Sequence, residues 1–218
     1  MTERSVQDRL MEAAEELFCR RGFKDTSVRE IAAAAGCNVA AINYYFGGKE
    51  KLYVAVWGRW LEQMREARID AIRRVMSGDG QRSLETLLES YARTFVEPLA
   101  AEERLHQRQG CSRFVELMVR EMVDPHLPTD MFVREMVSPV MVVLSEAVET
   151  LCPWLEPSVV PHVILSVVGQ LVHAIAVRQM FGRCDDCDVP RLDLEQMVQH
   201  IVRFSAAGIR GYANGERK

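Results

Sequence analysis

Two short helical signals pinched together by a four-residue gap constrain this chain more than anything else in it. Ser27-Val28-Arg29-Glu30 fits a capping box, a hydroxyl at the cap and a carboxylate three residues later. Val28, Ile31 and Ala32 then form an inward stripe that Gly36 ends. After the gap Ala35–Asn38, Asn38 is a good N-cap for a further helix, Val39 to Phe46, with Ile42 and Phe46 spaced i, i+4. Gly47-Gly48 closes it. Upstream, Val6, Leu10, Ala13, Ala14, Leu17 and Phe18 lie on one face of a helix over 4–21, stopped by Gly22. Two short helices across a tight glycine-containing turn make a helix-turn-helix, here Ser27 to Phe46. In such a pair the second helix enters the major groove of DNA, with its N-terminal residues at base edges.

The outward face of that second helix is Ala40, Ala41, Asn43 and Tyr44, with Val39 at its edge. Small side chains let the backbone approach closely, and their methyls can pack on thymine; Asn43 suits a bidentate contact with adenine. Tyr44, Tyr45 and Lys49 flank this face and suit phosphate oxygens, which fix register rather than sequence. The N–H groups behind the Asn38 cap suit phosphate too, as do Thr26, Ser27 and Arg29 at the start of the preceding helix. Plain packing explains the same pattern in many helical proteins. Tyr45 then reads as partly core and Arg29 as a solvated charge.

Beyond Phe46, helical patterns are expected over 49–75, 83–99, 111–123, 131–151, 159–181 and 193–212. The clearest linker is Ser77–Gln81, and no alternating β pattern stands out. An all-α fold follows. Residues 1–50 form a three-helix head and 51–218 a larger helical domain. At 48% hydrophobic residues the 218-residue chain can bury a real core. The net charge of −4 does not mark a nucleic-acid binder. Its distribution is more useful: residues 1–75 carry 13 Lys and Arg against 11 Asp and Glu, and the remainder 14 against 20. The most apolar stretch, Val163–Val177, is interrupted by Ser166, Gln170 and His173 and is shorter than the roughly 20 residues a bilayer needs. A soluble, cytoplasmic protein with reduced thiols is expected.

Other chemistry finds little support. Cys184-Asp185-Asp186-Cys187 offers two ligands where structural zinc takes four, so no metal and no cofactor is expected. No HExxH, Gly-rich phosphate loop, GxSxG or Cys–His signature is present. A helical enzyme and a helical interaction module without DNA affinity are the alternative classes.

The stretch Thr26–Leu52, with Ala13-Ala14-Glu15-Glu16-Leu17-Phe18 and Arg21-Gly22-Phe23 before it, resembles the signature of the TetR family over roughly residues 5–55. Asn43 stands where that family usually has tyrosine. The run Asn38–Tyr44, with Glu121–Pro125 and Gly169-Gln170, resembles a CecR-type subgroup. The resemblance implies a ligand-responsive regulator, most often a repressor. Such a protein binds a near-palindromic operator as a homodimer and is released by a small apolar effector. It implies a dimer made by the last two helices, for which Val163, Val167, Leu171, Ile175, Val198, Ile201 and Val202 are the seam expected here. It also implies a cavity, with Phe95, Phe114, Met118, Met122, Phe132, Met136, Met141, Trp154 and Met180 as candidate walls.

Overall fold

The computed structural model describes residues 5–78, 80, 82–105, 117, 121, 124–181 and 193–215. Among them there is no strand. The helices are α1 (Val6–Arg21), α2 (Val28–Ala34), α3 (Val39–Phe46), α4 (Lys49–Ser77), α5 (Leu84–Leu105), α6 (Ser138–Leu151), α7 (Val160–Phe181) and α8 (Leu194–Gly215), with a π-helical turn at Val133–Val137. The all-α expectation holds. The helix expected over 111–123 falls mostly outside the described residues, as does the Cys184–Cys187 loop.

Two departures from the sequence reading have local causes. α5 runs on to Leu105 rather than ending at Leu99, because Ala100-Ala-Glu-Glu-Arg-Leu105 are all strong helix formers. The single helix expected over 131–151 is broken by the π turn just before Pro139. Proline has no N–H for the carbonyl four residues back and its ring crowds that carbonyl, so the preceding turn widens.

The chain divides into two compact units, Met1–Gln63 with Gln109–Glu135, and Met64–Arg108 with Met136–Lys218; α4 runs from the first into the second. In the first unit α1, α2 and α3 pack on one another around Leu10, Phe18, Ile31 and Ile42, all fully buried. Gly36 takes φ +61° in the α2–α3 turn, a conformation that costs a residue with a Cβ. Gly47 ends α3 in the left-handed conformation, and a Cβ there would meet Lys51 Cδ at 3.2 Å.

In the second unit α5 packs on α8, and α7 on both α6 and α8. Leu87, Leu144, Val160, Leu171 and Val198 sit at the centre of this core. By length and composition Val160–Arg178 is apolar enough to cross a bilayer. Only 28% of that stretch is buried in the chain's own core. Here the polar Gln170 of α7 donates to Ser205 Oγ of α8 at 3.2 Å.

Candidate nucleic-acid interface

The head is built by its caps. Ser27 Oγ accepts from Glu30 N at 3.2 Å, and Glu30 Oε2 accepts from Ser27 N at 2.9 Å, the reciprocal pair the sequence pattern called for. Arg21 joins from the end of α1, Nη1 to Glu30 Oε1 at 2.5 Å. The Ser27 donors first, then Arg21, hold the Glu30 carboxyl down at about 2. Across the turn, Asn38 Oδ1 accepts from Ala40 N at 2.9 Å and starts α3.

With Ile42 fully buried, helical geometry turns the opposite face of α3 to solvent. Asn38, Ala40, Asn43, Tyr44 and Tyr45 are exposed, and Val39 and Ala41 half-buried beside them. Tyr44 is 82% exposed, and its ring meets that of Tyr45 edge-on at 4.9 Å. So large an aromatic surface is costly to leave in water unless a partner uses it. Arg29 is exposed on α2. Lys49 is half-buried, with Nζ 4.2 Å from the centre of the Phe23 ring. Asn38 to Tyr45 thus share α3 and its cap, while Arg29 lies on α2 and Lys49 at the start of α4. Thr26 does not join it. It is 1% exposed, and its hydroxyl donates to Gly22 O at 2.8 Å. A threonine immediately before a capping serine looked like a surface residue in sequence. In the fold its hydroxyl ties the α1–α2 corner from inside, so the expectation that Thr26 reaches a phosphate does not hold.

A cluster that the sequence reading missed supports the start of α4. Tyr53 packs edge-on against Phe18 and at a tilt against Phe23, each with centroids 5.0 Å apart. Glu121 accepts from Tyr53 Oη at 2.7 Å and from the N–H groups of His126 and Leu127, both at 2.6 Å. Burial first, then the Glu121 carboxylate, push the Tyr53 phenol well above its ordinary range. Lys24 pairs with Asp124 at 2.7 Å. Glu121 and Asp124 of the Glu121–Pro125 run therefore have partners in Tyr53 of α4 and Lys24 of the head, which no periodicity rule reveals because the contacts are about 70 to 100 residues apart.

Of the residues expected to line a cavity, Phe95 and Met136 both lie against the Arg68 side chain. Phe114, Met118 and Met122, and the side chain of Met180, lie outside what the structure describes. Phe132 belongs to the first unit; Phe95, Met136 and Met141 belong to the second, where all three are at least half-buried. Trp154 is exposed. An open cleft of about 430 Å³ in the second unit is lined by Arg74, Thr86, Ser90, Arg93 and other residues of α4, α5 and the linker between them, none of them on that list.

The expected dimer seam needs correction. Val163, Val167, Leu171, Val198, Ile201 and Val202 are buried in the chain's own core, and Ile175 is half-buried. Side chains already packed inside one subunit cannot also cover a second one. The outward faces of the same two helices carry Leu165 (55% exposed) and Val172 on α7, and Phe204 (62%) and Tyr212 on α8. The signal was in the sequence: Val163-Ile-Leu-Ser-Val-Val168 is apolar on nearly every side of a helix, so one chain's core cannot use all of it.

Comparison with known proteins agrees with this architecture. Residues 10–56 match the family model for bacterial regulatory proteins of the tetR family, and residues 84–209 match the model for the C-terminal domain of the HTH-type transcriptional dual regulator CecR. The CecR protein of Shigella flexneri is 31% identical over 140 residues, 62% of this chain and 59% of that one. The probable HTH-type transcriptional regulator YttP of Bacillus subtilis is 56% identical over 45 residues, 21% of this chain and 22% of that one. The chain thus matches less than two thirds of the length of either curated relative. Among solved structures, the fatty acid degradation regulator FadR from Bacillus halodurans superposes with a TM-score of 0.60 at 18% identity, covering 96% of this chain and 99% of that one. At that identity the likeness speaks for the fold alone. With the two family models spanning the head and more than half of the chain beyond it, the protein belongs to the TetR family of bacterial transcriptional regulators.

Proposed function

We propose that this protein is a CecR-type, ligand-responsive repressor that reads a near-palindromic operator as a homodimer in the cytoplasm. The observation that carries the DNA reading is the exposed face of α3, with Ala40 and Asn43 beside the 82%-exposed Tyr44, on the second helix of a capped helix-turn-helix. Asn43 reads a base. Tyr44, Tyr45, Asn38, Ser27, Arg29 and Lys49 hold phosphates, and Val39, Ala40 and Ala41 supply close apolar contact. Residues 1–50 form the reading head, and 51–218 dimerise and take the effector. The match of residues 84–209 to the CecR C-terminal model supports the subgroup.

A second copy of this chain covers Leu165, Val172, Phe204 and Tyr212, which gives the outward apolar surface of α7 and α8 a use. Two-fold symmetry then sets two α3 helices ~34–36 Å apart, in successive major grooves. The effector acts by binding more tightly to the form whose reading heads are wrongly spaced. A gel-shift series against DNA selected from a random pool tests the reading. Asn43→Ala should weaken binding to the selected site by ~1–3 kcal/mol and relax preference at one base pair. Unchanged discrimination would show that another side chain reads the sequence. No specific band at any salt concentration would remove the DNA reading altogether.

A further inference from the structure

Arg68 lies on the inward stripe of α4, one turn before Ala71 and Ile72, where the helical pattern calls for an apolar residue. Arginines on such stripes usually snorkel, laying the stem on the core and lifting the head to water. This one does not: Arg68 is 7% exposed. Its Nε is buried with no hydrogen-bond partner. Its Nη1 donates to the Met136 sulfur, a weak acceptor, and its Cζ lies 3.9 Å from the centre of the Phe95 ring. No carboxylate among the described residues pairs with it. Tyr91, 3% exposed, is its other neighbour.

A guanidinium cannot shed its charge inside a protein as a lysine can. The second unit therefore carries a permanent buried cation whose partners are an aromatic face and a thioether, which is an unfavourable arrangement unless something completes it. The missing partner must accept hydrogen bonds, carry negative charge and match a planar fork. A carboxylate does all three. The groups around the fork are apolar and adaptable. Phe95 and Tyr91 are aromatic, and Met136 is an unbranched side chain on the π turn, an element often found where a helix is shaped for a ligand.

We propose that Arg68 is the head-group receptor of the effector site, and that the effector is an organic acid: a carboxylate on an apolar body. The carboxylate displaces the Met136 sulfur and takes Nε and one Nη in a bidentate pair, while the body packs on Phe95 and Tyr91. This rests on the reading of residues 51–218 as the sensing part, and it names the chemical class of what is sensed.

The full-length protein is titrated with decanoate and with 4-phenylbutyrate, each against the alcohol of the same skeleton, and melting temperature and apparent Kd are recorded. At least one acid should bind ten-fold or more tighter than its alcohol. Arg68→Met should erase that preference, and Arg68→Lys should restore part of it. Without ligand, Arg68→Met should melt no lower than the parent protein, because it removes an uncompensated charge. Three results overturn the proposal: acids and alcohols binding alike or not at all, a preference that survives Arg68→Met, or a ligand-free Arg68→Met that melts clearly lower. A parallel gel shift separates the two readings. Arg68-dependent acid binding that leaves DNA affinity unchanged supports the site and counts only against its role as effector site. Intact DNA binding in a protein that does not distinguish acid from alcohol overturns the site alone.

Discussion

Glu30 shows how one side chain can order the head before any DNA arrives. It accepts from Ser27 N and Ser27 Oγ and pairs with Arg21, so it joins α2 to its own cap and to the end of α1. Its carboxyl lies at about 2 in the folded protein against an ordinary 4.5. A depressed carboxyl contributes stability that is present in full above the unfolded value and lost as pH falls through the folded one. The gap in melting temperature between the parent protein and Glu30→Ala should therefore be constant down to about pH 4.5 and close progressively toward pH 2. The helix propensity that alanine adds does not vary with pH, so it offsets the curve without bending it. Melts followed by circular dichroism across that range check this. A gap that persists unchanged at pH 3 would mean that Glu30 acts by packing and not by charge. The box itself was legible in four consecutive letters. Thr26, one residue earlier, was not: its burial depends on where Gly22 O and Leu17 O lie, and a serine or threonine before a helix reads the same whether its hydroxyl points in or out. Arg68 was opaque for a related reason, because only the packed helices decide whether an arginine head reaches water.

Local signals carried the head elements well and failed on the faces of the last two helices. Caps, glycines and a 3.6-residue period fix α1, α2 and α3 within a residue or two, since each start and stop is chemically marked. α7 has no such asymmetry. It is apolar on most of its circumference, and periodicity cannot say which side is one subunit's core and which is free. The packing resolves it: Leu171 is fully buried and Leu165 is more than half exposed. Two substitutions on one helix should then behave oppositely. Leu171→Ala should cost ~2–5 kcal/mol of stability by leaving a cavity. Leu165→Glu, paired with Phe204→Glu on α8, should leave each subunit folded but shift sedimentation from dimer to monomer. It should also weaken operator binding, because one reading head alone holds half the contacts. Dimers of normal stability in the double variant would place the interface elsewhere.

At the scale of the whole molecule, the two units share a single helix. α4 begins at Lys49, beside the Phe23 ring, and Arg68 lies five turns further along it, in the second unit. A repressor released by a ligand is two equilibria on one protein, and thermodynamics ties them: whatever factor the effector takes from operator affinity, the operator must take from effector affinity. Couplings of this kind typically amount to ~1–3 kcal/mol, or about 5- to 150-fold. Measured by titrating an acid effector into free protein and into the protein–operator complex at one salt concentration, the two factors should agree. Salt must be held fixed because counterion release makes DNA affinity fall steeply with ionic strength. Lys49→Ala offers the discriminating variant. If Lys49 only touches phosphate, the substitution should weaken all DNA binding and flatten the salt slope by about one while the coupling factor stays the same. If its seat on Phe23 also transmits the change along α4, the coupling factor should shrink as well. A coupling factor of one in the parent protein would mean that the acid binds without moving the operator equilibrium.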